Sequence, residues 1–336
     1  MTLLGVVIVI LISVFYRLNN QKVAINTELN KLKIISKEVA FHMESHLQEK
    51  ANIAVTIASA PHIRDALLKS NSKLEPLTDK IRKDEIERQN RQWMETTDIN
   101  DPFIQKYMKN AVGEFLKHQQ TLLPGEYGEI FLTNRFGAMI ATTGKLTTLS
   151  HAHKYWWLAC YNDGRGRIFL DDRGFDTSVE GYVLGVVVPI RHKNRIIGIL
   201  KCNFNIIGPL TGVVRKSDSS DLAMLKIVRT GGLIVYEKDR TPLSTKVDKS
   251  LIELLWQKKD GVAILPGTNG NQLAAYSSIP ITIGSDRYGF GGKKGALDHI
   301  KPKTSVFGLN KKLSYEILIS IELYAKFLGN AVEVVT

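Results

Sequence analysis

The sequence predicts an α+β protein in which one long N-terminal helix carries two antiparallel-sheet modules. Three observations predict it. First, no Gly or Pro stands between Arg17 and Ala60, and apolar residues recur at Ile25, Leu29, Leu32, Ile35, Val39, Met43, Leu47, Ala51, Ala54 and Ala58. Every step is three or four residues, which draws one stripe along a single helix, and Pro61 stops it. Second, beyond Pro124 the texture changes to short β runs punctuated by Gly- and Asn-containing turns. Third, those runs occur twice. "EIFLTNRFGAMIATT" is echoed by "AMLKIVRTGGLIVYE", and "GYVLGVVVPI" by "LAAYSSIPI". Gly137 and Gly232 lie 95 residues apart, and Pro189 and Pro280 lie 91 apart. That agreement marks an internal duplication of one module.

The elements follow in order. Leu3 to Tyr16 is an uncharged apolar run. It spans roughly 21 Å at about 1.5 Å per residue, against ~30 Å for a hydrocarbon core. No basic residue precedes it and no small-x-small site follows it, which argues against a secretory signal peptide. Residues 1–16 therefore read as part of a transmembrane anchor, with a buried helix of the fold as the other reading. Residues 17–123 read as the stalk helix and a helical segment. The stalk, from about Arg17 to Ala60, would run ~60 Å. "PHIRDALLKS" and "TDKIRKDEIERQNRQWMETTD" read as two more helices. "DPFIQKYMKNAVGEFLKHQQ" reads as one further helix, capped by Asp101, opened by Pro102, with Ile104, Met108, Ala111 and Phe115 on one face. The first sheet module spans 124–212 and includes "RIIGILKCNFNI" beyond the basic turn "RHKN". The second spans 217–320 and closes with "SYEILISIEL". Residues 321–336 form a helix-like tail expected to lead to a second membrane segment.

Composition narrows the function classes. The chain is 44% hydrophobic and 23% charged, as folded globular proteins are. Its formal net charge of +12 suits anionic ligands, membrane surfaces or nucleic acid. The Lys and Arg residues are dispersed, however, and no stretch interleaves dense basic residues with aromatics, so nucleic acid is not the expected partner. No nucleophile elbow, HExxH or paired-carboxylate signature is present, and the expectation is a non-enzymatic protein without a cofactor. "YGFGGKKGALDH" has no Ser or Thr after its Lys pair and is not a P-loop; it reads as a flexible insertion in the second module. Cys160 and Cys202 sit in no CxxC or zinc spacing, and two buried free thiols are expected, with one disulfide as the other reading for an extracytoplasmic domain. His151 and His153 flank Ala152 without an evident third ligand, so no metal site is expected. Asp171, Asp172 and Asp176, in "FLDDRGFDTSVEGY", lack the alternation of a calcium loop and read as solvated loop acids.

The most pointed stretch is "HKYWWLACYNDGRG", where Trp156 and Trp157 are adjacent. Neighbours on a helix point about 100° apart, and on a strand they point to opposite faces. One indole can join the core while the other lines something else.

In order and spacing, "GEIFLTNRFGAMIATT", "YWWLAC" and "GYVLGVVVPIRHKNRIIGILKCNFNI" resemble the double Cache (dCACHE) family. These are extracytoplasmic sensor regions of bacterial chemoreceptors, histidine kinases and cyclic-di-GMP enzymes. The resemblance covers most of the chain. It implies two PAS-like modules, with 124–212 membrane-distal and 217–320 membrane-proximal, and a ligand held in the distal one between the sheet and the Trp-containing cap. Amino-acid-binding members share an Arg-x-Trp-Tyr segment and a later strand-end Asp. Lys154, Trp156 and Trp157 match the first with Lys for Arg and Trp for Tyr. The tyrosine expected upstream falls on Leu149, and the strand-end aspartate on Asn203.

Those departures shape the expected ligand. Lys154 attracts a carboxylate or phosphate as a point charge. Asn203 donates and accepts but carries no charge to hold an ammonium group. The expected site is Lys154, Trp156, Trp157 and Asn203, with Asp176 and Tyr182 at its rim. The expected ligand is a small organic acid, with an amino acid as the second choice. The resemblance further implies an inner-membrane receptor with a periplasmic sensor region and a homodimer formed through the stalk. An extracytoplasmic enzyme, or an adhesion module without ligand, are the alternatives.

Overall fold

The computed structural model describes residues 3–176, 181–205, 224–229, 232–237, 240–241, 244–257, 260–267, 270–280 and 314–322. It is an α+β protein with a long N-terminal helix and antiparallel sheets, as the sequence predicts. The Gly-rich stretch at 288–299 and the tail at 323–336 lie outside the described residues.

Helix α1 (Leu3–Ala58) is unbroken. Along the expected stripe Leu32, Val39, Met43, Leu47, Ala51, Ala54 and Ala58 are buried. Pro61 does more than stop α1. It occupies the first turn of α2 (Pro61–Leu74), where its fixed φ and missing N–H are tolerated. Thr78 caps α3 (Asp79–Glu95) by accepting from the Ile81 N–H. The single helix expected after Asp101 is instead two, α4 (Pro102–Met108) and α5 (Ala111–Leu122). Asn110 is the reason. Its side-chain oxygen caps α5 by accepting from the Val112 and Gly113 N–H groups, and its Nδ2 donates to the Ile140 carbonyl at 2.9 Å. An Asn that can bond local backbone this way favours a break over a continued helix.

The first sheet comprises β1 (Tyr127–Asn134), β2 (Met139–Thr142), β3 (Phe169–Asp176), β4 (Gly181–His192) and β5 (Arg195–Asn205), in the order β2-β1-β5-β4-β3. The second comprises β6 (Met224–Arg229), β7 (Ile234–Glu237), β8 (Asp260–Gly267), β9 (Gly270–Pro280) and β10 (Ser314–Glu322), in the order β7-β6-β10-β9-β8. Strand for strand the two orders are the same. Gly137 (φ 79°) and Gly232 (φ 88°) occupy equivalent first-hairpin turns, in a left-handed region that disfavours other residues. Each is followed by an isolated bridge, Ala138 to Ser150 and Leu233 to Lys246. Between its second and third strands each sheet receives one helix, α6 (Tyr155–Tyr161) or α7 (Lys249–Gln257).

The described residues fall into two compact units. One runs from Ser45 through the first sheet, and the other holds α1 up to Glu44 with the second sheet. In the first unit, β5 is buried on both faces. Its even residues, Leu200, Cys202 and Phe204, lie opposite the face bearing Ile199, Lys201 and Asn203. The latter face shares a core with Phe131, Val187, Trp93, Tyr107, Trp156 and Trp157.

The reading of Asp171, Asp172 and Asp176 as loop acids is corrected here. All three lie on β3, paired with β4 as far as Asp176 opposite Gly181. Asp171 is fully buried. Consecutive acids near glycines suggested a loop, but a buried partner holds Asp171 in the sheet.

Candidate functional site

The site is built on the face of the first sheet that α6 covers. The loop leading into α6 is pinned by Asn90, whose Oδ1 accepts from Thr148 Oγ1 at 2.6 Å, Leu149 N at 2.9 Å and Ser150 N at 3.1 Å. This leaves Leu149, in the place of the expected tyrosine, fully buried in the core. Lys154 is the N-cap of α6, and its carbonyl accepts from the Trp157 and Leu158 N–H groups. Its side chain is half-buried and forms no ion pair among the described residues.

The adjacent tryptophans separate as a helix requires. Trp157 stacks on Tyr161 at 4.9 Å, and its Nε1–H donates to Thr133 Oγ1 at 3.2 Å. It is a core residue with its polar atom satisfied. Trp156 packs against Phe131 at 5.6 Å and His151 at 5.4 Å. Its fully buried Nε1–H makes no hydrogen bond among the described residues.

Trp156 faces a charged group that motif reading missed. Lys201 Nζ lies 4.6 Å from the centre of the Trp156 ring and forms a buried ion pair with Asp171. The two charges come from β5 and β3, with β4 between them. Strands lie about 4.8 Å apart, so the pair must bridge roughly twice that distance. It does so over Gly185, the β4 residue opposite both Asp171 and Asn203. A Cβ at Gly185 would stand 2.6 Å from Lys201 Cε and 3.1 Å from both Asn203 Oδ1 and Asp171 Cβ. Gly185 is thus the position where the lysine crosses.

Asn203 is buried on the same face as Lys201, two residues along. Its Nδ2 donates to Glu129 Oε2 at 3.1 Å, while its Oδ1 makes no hydrogen bond among the described residues. Trp156 and Asn203 of the expected set are therefore brought together around Lys201, while Trp157 joins the same core through Tyr161 and Thr133. The side chains of Asp176 and Tyr182 lie outside the described residues; their backbones pair at the β3–β4 end, Asp176 with Gly181 and Phe175 with Tyr182. His151 packs between Phe131 and Trp156, and no group of three metal-ligating side chains occurs among the described residues. Cys160 and Cys202 are free and buried, and burial pushes both thiols up.

Burying an ion pair costs more desolvation than its attraction returns unless the remaining lone pairs and protons are satisfied, so it is weak evidence for stability. Here it sits beside a buried donor and a buried acceptor that the described protein leaves open. Buried polar groups in native structures are ordinarily satisfied, by protein, by ordered water or by a ligand. Chemically, these groups would suit a small molecule that accepts from Trp156 and Lys201 and donates to Asn203.

The architecture is that of bacterial receptor sensory domains. Among solved structures, the sensory domain of the Campylobacter jejuni chemoreceptor Tlp3 superposes with a TM-score of 0.53 at 13% identity, over 89% of this chain and 95% of that one. The same domain with isoleucine bound gives 0.52 at 14% identity, over 89% and 94%. The ligand-binding domain of the Pseudomonas aeruginosa PAO1 amino-acid chemoreceptor PctB, in complex with L-Arg, gives 0.50 at 10% identity, over 88% and 95%. At these identities the likeness is one of fold. No family model and no curated protein matches the sequence.

Proposed function

We propose that this chain is the extracytoplasmic ligand-binding region of a bacterial membrane receptor of double Cache type. It binds a small carboxylate-bearing molecule in the module of β1–β5 and acts without catalysis. One observation carries the reading: beneath α6, Trp156 and Asn203 lie around the buried Lys201, and the Trp156 N–H and Asn203 Oδ1 make no hydrogen bond among the described residues. Pockets of this kind are mostly apolar with a few placed polar groups. Lys154, at the N-terminus of α6, supplies a further cation toward an acid.

The membrane assignment rests on α1. Leu4 and residues 6–18 are exposed, among them Leu4 at 71% and Phe15 at 74%. An 18-residue window of this helix has a mean hydropathy of 1.5 and none of it is buried. A helix apolar on every side suits lipid. The same helix continues into the unit that holds the site, so ligand occupancy would be relayed along it, in a homodimer formed through the stalk. The ligand shifts that balance only by its differential affinity for two states of the receptor.

The test is calorimetric titration of the full chain in detergent, after a thermal-shift screen of organic acids, amino acids and amines. An organic acid is expected to bind best. Lys154→Ala should weaken it by about 1.5–3 kcal/mol, the worth of a charge-assisted hydrogen bond. Asn203→Asp should weaken it further by like-charge repulsion and admit an amino acid. A preference of the unaltered protein for an amine or amino acid, or binding untouched by Lys154→Ala, would overturn the assignment.

A further inference from the structure

We propose that Lys201 is a built-in ammonium group that fills the cation half of this site and so makes it select against ligands carrying an amine. The inference rests on the reading of this face as a ligand site and names the residue that sets its selectivity. A carboxylate and the face of a tryptophan are the two groups that best receive an ammonium in a buried place. Both are present, as Asp171 and Trp156, and both are engaged by Lys201.

The placement is not incidental to the sheet. Lys201 reaches Asp171 only by crossing β4, and β4 offers no side chain at the crossing because Gly185 stands there. A side chain at this position would press on Lys201 Cε, and the lysine would have to shift from its place beside Asp171. Three strands thus cooperate to hold one ammonium group in a fixed position.

The consequence for binding follows from charge. A ligand ammonium would have to displace Lys201 from Asp171 and bring a second positive charge into the same buried space. A carboxylate would instead share the three donors of the Lys201 ammonium with Asp171 and take the Trp156 N–H as a further donor. Asn203 Oδ1 then calls for a neutral donor, such as a hydroxyl, rather than a cation. The class this defines is a hydroxy acid or a comparable anion with no amine beside its carboxylate.

Chemical rescue tests the inference. Lys201→Ala and the volume-conserving Lys201→Met are prepared as full chains in detergent, and their melting temperatures are measured in ethylammonium chloride against sodium chloride of equal ionic strength. Both variants should melt lower than the unaltered protein; Lys201→Ala, which vacates the space of the ammonium, should recover at least half of the loss in ethylammonium, while Lys201→Met, which keeps that space filled, and the unaltered protein respond equally to the two salts. Lys201→Ala no more responsive to ethylammonium than Lys201→Met, including a Lys201→Ala that folds in neither salt, would overturn the proposal. The outcome is separable from the functional reading. Rescue without binding of any organic acid by the unaltered protein would sink the reading alone, and acid binding without rescue would sink the assignment of Lys201 alone.

Discussion

The two sheets share a strand order but differ at their centres. With Pro189 set on Pro280, Gly185 of β4 falls on Tyr276 of β9. Across the first sheet the row through that position is Asp171, Gly185 and Asn203. Across the second it is Gly261, Tyr276 and Leu318. Tyr276 is buried in a core with Val228, Leu255 and Ala274, packed by Leu251 and Leu254 of α7. Its ring lies where a Cβ on Gly261 would collide with it. So each sheet carries a glycine in this row, used for opposite ends. In the second, glycine on the edge strand makes room for an aromatic that fills the centre. In the first, glycine at the centre leaves room for Lys201 to cross from β5 to Asp171 on β3. A duplicated module keeps an apolar core when an aromatic fills that space, and holds a buried charge pair there when glycine takes the aromatic's place.

The largest effect that would break this comparison is loss of one charge. Asp171→Ala strands the Lys201 ammonium and should destabilise the first unit by about 3–5 kcal/mol in urea unfolding. Converting the pair together, Asp171→Leu with Lys201→Met, should restore most of that or exceed it, by up to about 1–4 kcal/mol over the original, while abolishing acid binding. A double variant as unstable as Asp171→Ala would mean that the pair is structural.

Next in size is Gly185→Ala. Lys201 Cε would lie 2.6 Å from the new Cβ, so the lysine must shift. A cost of about 1–3 kcal/mol is expected, together with loss of ligand affinity. In the unit of the second sheet, Ser36→Ala on α1 sharpens the contrast by a smaller step. Ser36 Oγ and Ser277 Oγ form a buried hydrogen bond of 2.9 Å within that unit. Its removal should cost about 1 kcal/mol in that unit's unfolding and leave ligand binding unchanged.

The smallest effect is a pH dependence confined to the unit of the first sheet. Burial, and next the neighbouring Lys50, lower the pKa of His46 below its ordinary 6.5. The unfolded state therefore binds a proton first as pH falls. The stability His46 contributes is present above pH 6.5 and is lost as pH drops through the folded value. His46→Gln should flatten that part of the profile in thermal melts between about pH 7.5 and about pH 5, on either side of the ordinary histidine value of roughly 6.5. An unchanged slope would remove His46 from the account.

Much of this was legible in the sequence, and the exceptions share a cause. The stripe from Leu32 to Ala58 declared α1 because helical burial repeats at short intervals. The repeat of Gly137 and Gly232 declared two sheets of one order because a turn needing positive φ leaves a glycine behind. Trp156 and Asn203 stood out by resemblance, and they do share a neighbourhood. Lys201 and Gly185 did not stand out, because their meaning is non-local: one crosses the other to reach a residue two strands away. A signal was present all the same. A lysine inside "RIIGILKCNFNI", a run apolar enough for burial on both faces, needs a buried partner. Asp171 was that partner, hidden among acids and glycines that read as a loop. Asn110 concealed a helix break for the same reason, since its Nδ2 bond to Ile140 spans 30 residues.

The central claim, that the first sheet holds the site and the second is closed by Tyr276, is tested most directly by hydrogen–deuterium exchange of the full chain. Exchange is compared with and without a saturating concentration of the organic acid that most raises its melting temperature. Added protection is expected in α6 and in the stretches of β3 and β5 around Asp171, Lys201 and Asn203, with none added in α7 or in β9 around Tyr276. Protection centred on α7 and β9, or no organic acid that raises the melting temperature at all, would contradict the account.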